Sequence, residues 1–74
     1  MSCRLFVLKR EAAKEGIHLE TPKRGSHWKF RESGKGGKTY PVPAANGLKT
    51  EIPDHYINGF CRCFDLGTDF KDRL

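Results

Sequence analysis

The sequence predicts an α+β unit: a three-stranded antiparallel sheet with one helix before it and one after, both on the same sheet face as a two-layer sandwich. Three observations carry that prediction. Residues 17–21 and 26–32 alternate apolar and polar side chains, as strands with one buried face do. Ile57, Phe60, Cys61 and Phe64 recur at i, i+3, i+4 and i+7, the stripe of an amphipathic helix. A length of 74 residues suits one domain over 1–74 and leaves no room for a second.

Each element follows in order. Ser2 is the expected cap of a first helix over 3–15, with Gly16 as its stop. Leu5, Leu8 and Ala12 form its apolar stripe, and Arg4, Glu11, Lys14 and Glu15 its wet side. In strand 17–21, Ile17 and Leu19 take one face and His18 and Glu20 the other. Pro22, Lys23, Arg24 and Gly25 read as a turn. In strand 26–32, Trp28 and Phe30 face the core, opposite His27, Lys29 and Arg31. The glycine-rich stretch 33–37 reads as a mobile hairpin tip. A third strand over 38–43 turns Tyr40 and Val42 to the core. Its Pro41 and Pro43 cannot donate ladder hydrogen bonds, which suits an edge or a short strand. A loop over 44–50 turns at Asn46-Gly47, and Pro53 or Asp54 opens a second helix running to about residue 66. Gly59 weakens that helix by up to about 1 kcal/mol relative to Ala. Residues 67–74 are polar and read as a frayed tail. In this order, α-β-β-β-α, one sheet face stays open and shows His18, Glu20, His27, Lys29 and Arg31 to solvent.

Composition narrows the function. No apolar run reaches the roughly 20 residues that span a bilayer, and the first sixteen residues have no separate apolar stretch with a cleavage site, so a cytoplasmic protein is expected. His18, His27 and His55 are scattered and Cys3, Cys61 and Cys63 are odd in number, which suits reduced thiols and neither a metal site nor a cofactor. The net charge of +5 is concentrated. Segment 22–38 holds Lys23, Arg24, Lys29, Arg31, Lys35 and Lys38 against Glu32 alone, whereas the chain from Glu51 onward is net acidic. A basic band on a small domain points to a polyanionic partner, most simply nucleic acid.

Within that band His27 is the candidate for chemistry. Neighbouring cations favour its neutral imidazole, the form that accepts a proton. RNA brings its own nucleophile, the 2′-hydroxyl. A ribonuclease therefore needs little beyond a proton acceptor, a proton donor and cations around the phosphorane. Lys23, Arg24, Lys29 and Arg31 are assigned to phosphate binding by charge and facing, with Gly25 and Ser26 beside them. His18 shares the face and reads as a plain exposed residue, His55 as a solvated side chain in the first turn of the second helix, and Trp28 as core rather than as a stacking platform.

Gly25-Ser26-His27 opening a second strand, then Trp28 and Phe30, a Val42-Pro43 strand end, and Glu51-Ile52-Pro53 leading into an amphipathic helix together resemble the HicA toxin family. The resemblance covers about residues 5–66. It implies a fold like that of double-stranded-RNA-binding domains and a metal-independent endoribonuclease acting on mRNA, with His27 as the catalytic histidine serving as general base or acid, no cofactor, and a HicB-like antitoxin that covers the basic face. The second proton-transfer group stays open between water, Ser26 and a substrate group. A non-catalytic RNA- or DNA-binding module of the same fold is the rival reading, and a protein whose basic face docks an acidic protein is the third.

Overall fold

The computed structural model describes residues 2–21, 28–34 and 37–74. In chain order, β1 (Cys3–Arg4) leads into helix α1 (Leu5–Lys14) and the strands β2 (Ile17–Glu20), β3 (Trp28–Glu32) and β4 (Thr39–Val42). A 3₁₀ turn at Gly47–Lys49 precedes β5 (Glu51–Ile52) and the helices α2 (Asp54–Cys63) and α3 (Thr68–Asp72).

The α+β class is as the sequence predicts. Strands β2, β3 and β4 form an antiparallel sheet in that order, with Leu19 opposite Phe30 and Phe30 opposite Tyr40. Residues directly opposite in an antiparallel pair share a face. One face therefore collects Ile17, Leu19, Trp28, Phe30, Tyr40 and Val42. Leu5, Leu8 and Ala12 of α1 and Ile57 and Phe60 of α2 join these residues in one hydrophobic core. Helix α1 lies against β2 and α2 against β4. Phe60 is the hub: its ring meets Phe30 edge-on at 5.0 Å, Phe64 at 4.9 Å and Tyr40 at 6.1 Å, and stacks on Phe70 at 5.6 Å. Pro41 sits on the edge strand β4, where its missing N–H breaks no ladder bond.

Five sequence expectations are corrected. The first helix begins at Leu5 and not at residue 3, because Cys3 and Arg4 pair with Ile52 and Glu51 in a second, two-stranded ladder. Ser2 is not its cap; its hydroxyl donates to Glu51 Oε1 at 3.1 Å. Glu11 is not on the wet side: it is 4% exposed, held at 3.1 Å by Arg10, 3.2 Å by Lys14 and 3.4 Å by Arg73. The second helix stops at Cys63, three residues short of the expected end. Asp65 there adopts a left-handed conformation (φ 57°), and Leu66 N–H reaches back to Cys61 carbonyl at 2.8 Å while Asp65 N–H reaches Arg62 carbonyl at 3.4 Å. That pattern is a Schellman stop, with Asp in the position that usually takes glycine. Nor is 67–74 a frayed tail, since α3 buries Phe70 to 3% exposure and ties Arg73 to Glu15 at 2.9 Å. Among the described residues no helix is long and apolar enough to cross a membrane.

Candidate functional site

The strand register builds the second sheet face residue by residue. His18 stands opposite Arg31, and Arg31 opposite Thr39; Glu20 stands opposite Lys29, and Lys29 opposite Pro41. These six side chains share the face away from both helices. His18, Lys29, Arg31, Thr39 and Pro41 are exposed and Glu20 is half-buried. The face is thus two short rows running across the strands, one of His18, Arg31 and Thr39, the other of Glu20, Lys29 and Pro41.

Of the residues assigned from sequence, Lys29 and Arg31 are brought together here and point to solvent. His18 joins them from β2, as its alternation predicts. Lys23, Arg24, Gly25, Ser26 and His27 lie outside the described residues, as do Lys35 and Gly36 of the expected hairpin tip. Trp28 is half-buried and packs against the core, and His55 lies exposed in the first turn of α2 with its ring 4.8 Å from that of Tyr56.

Sequence patterning did not reveal how the charges on this face pair. Arg31 Nε donates to Glu20 Oε2 at 2.8 Å, a diagonal contact between β3 and β2 that appears only once the register is known. An exposed pair of this kind contributes about 0–1 kcal/mol. Arg31 uses one of its five N–H donors for it, so the remaining donors can still meet a phosphate. One of its terminal nitrogens lies beside the tip: a Cβ added to Gly37 would stand 3.8 Å from Nη1.

Outside this face, the cysteines are free thiols, each half-buried. Burial pushes the thiols of Cys3 and Cys61 above the usual cysteine range, which keeps them protonated and slow to react at neutral pH. Among the described residues no three His, Cys, Asp or Glu side chains cluster as metal ligands would.

No family model, curated protein or solved structure matches the chain.

Proposed function

We propose that this protein binds RNA on its open sheet face and cleaves it in the manner of a HicA-type toxin. The observation that supports the reading is that face. Lys29 and Arg31 project from the central strand of a sheet whose other side is covered by helices, so a polyanion can lie across it. The sequence adds Lys23 and Arg24 to the positive charge before β3, and its alternation assigns His27 to the side of Lys29 and Arg31.

In this reading the cations hold the phosphodiester and His27 takes the proton of the adjacent 2′-hydroxyl. The freed oxygen attacks phosphorus, forming a P–O2′ bond as the P–O5′ bond breaks. A second donor returns a proton to O5′, and the products are a 2′,3′-cyclic phosphate and a free 5′-hydroxyl. An antitoxin carrying acidic residues would silence the protein by covering the same face.

The test is incubation of purified protein with labelled RNA in EDTA, comparing wild type with His27→Ala. Cleavage by wild type alone supports the reading. Binding by both without cleavage replaces it with a non-catalytic RNA-binding module. Failure of wild type to bind RNA even at low salt overturns it in favour of a protein partner.

A further inference from the structure

The row of His18, Arg31 and Thr39 does not end at the edge of the sheet. Strand β2 is an edge strand, and beyond it a groove of about 210 Å³ runs between its outer side and α1. Lys9, Arg10 and Ala13 line the groove from the helix, and Ile17, His18 and Leu19 line it from the strand. His18 belongs to both surfaces: it is the last residue of the row on the open face and a wall of the groove.

Charge in the groove is of one sign. Lys9 and Arg10 are exposed, and among the described residues no carboxylate lines it. The nearby Glu11 is buried, and its Oε2 takes both the Arg10 Nε contact at 3.1 Å and the Lys14 contact at 3.2 Å. Arg10 keeps its terminal nitrogens for a further partner, and Lys9 has no ion pair among the described residues. Backbone N–H groups of an edge strand that point away from the sheet are additional donors. Adjacent strands are about 4.8 Å apart, so the step from Arg31 to His18 and then to the groove is short enough for one nucleic-acid backbone to follow.

We infer that this groove is a second phosphate-binding subsite, which receives the RNA backbone after it has crossed the sheet from Arg31 past His18. The inference rests on the RNA-binding reading above and extends it to a surface where the sequence alone gives no reason to place Lys9 and Arg10. An extended acidic peptide added to the β2 edge is the competing occupant. The groove favours phosphate because Lys9 and Arg10 extend the positive charge that Arg31 and Lys29 place on the open face.

The experiment measures binding of a labelled single-stranded RNA across a salt series for wild type, Lys9→Ala, Arg10→Ala, the double variant, and a separate Lys29→Ala/Arg31→Ala variant. Each lost phosphate contact lowers the slope of log affinity against log salt by about 0.7 for single strands, so the Lys9/Arg10 double variant should lose about 1.4. Thermal unfolding checks each fold. Should removal of Arg10 from its contact with Glu11 unfold the chain, Lys9→Ala alone carries the test, with an expected loss of about 0.7. If the Lys29/Arg31 variant weakens binding while the groove variants keep the wild-type slope, the groove inference falls and the RNA-binding reading survives. If wild type binds no RNA, both fall. A poly-glutamate peptide that binds wild type but not Lys9→Ala, with RNA binding unchanged, also overturns the inference and makes the groove a peptide site.

Discussion

Replacing Gly59 by alanine sets two well-defined effects against each other. Gly59 lies inside α2, where alanine is favoured by up to about 1 kcal/mol on backbone grounds. The structure explains why glycine stands there. A Cβ at residue 59 would overlap the Tyr40 hydroxyl oxygen and come to 3.1 Å from Cζ and 3.4 Å from Cε1 of the same ring. Tyr40 cannot swing away freely, since its ring packs edge-on against Phe60. Overpacking a well-filled site costs about 1–3 kcal/mol. The two effects sum to a net destabilisation of about 0–2 kcal/mol for Gly59→Ala, where propensity alone predicts a gain. Removing the hydroxyl with Tyr40→Phe leaves only the milder ring contacts, so in that background Gly59→Ala should be neutral or stabilising. Urea unfolding of the four proteins gives the coupling, expected at about 1–2 kcal/mol. The reasoning is refuted if Gly59→Ala stabilises by the same amount whether or not the Tyr40 hydroxyl is present.

Other expectations follow from the same packing. Phe70→Ala should cost about 3–5 kcal/mol, a large part of the roughly 4–11 kcal/mol expected for a domain of this size, and chemical denaturation will register it; a truly frayed tail would give no change. Asp65→Gly should raise stability by up to about 1 kcal/mol, because glycine adopts the left-handed stop without steric penalty, and a shift in melting temperature reads the gain. Acidification should act through Glu11, whose carboxyl is held below the ordinary 4.5 first by the hydrogen bond from Lys14, with Arg10 adding to it. A folded-state value below the unfolded one gives stabilisation that is present above the unfolded value and lost as pH falls through the folded one. Thermal stability should therefore drop below about pH 4.5, and Glu11→Gln should be less stable at pH 7 with a flatter profile below it.

What the sequence reveals is what repeats. The alternation in β2 and β3 and the i, i+3, i+4, i+7 stripe of α2 are periodic signals, and each emerges on the face it predicts. The ladder of β1 and β5 has two residues per strand, too few for alternation to register, so Cys3 and Arg4 read as the start of a helix. Glu11 looks solvated because its charge is visible in sequence, while Arg10, Lys14 and Arg73, which make its burial tolerable, converge only in the fold. Phe70 is a single aromatic among polar neighbours, and nothing local shows that it stacks on Phe60. At the candidate site, the facing of Lys29, Arg31 and His18 follows from alternation alone. The Glu20–Arg31 pair and the nearness of Lys9 and Arg10 to β2 depend on register and helix placement, which no local pattern encodes.

The central claim is that RNA is cut on the open face of the sheet by transesterification, and the ends of the products test it most directly. RNA incubated in EDTA with wild type should yield fragments ending in 2′,3′-cyclic phosphate and beginning with 5′-hydroxyl, and His27→Ala should yield none while still binding. Intact RNA with wild type, or fragments that form equally with His27→Ala, would contradict the account.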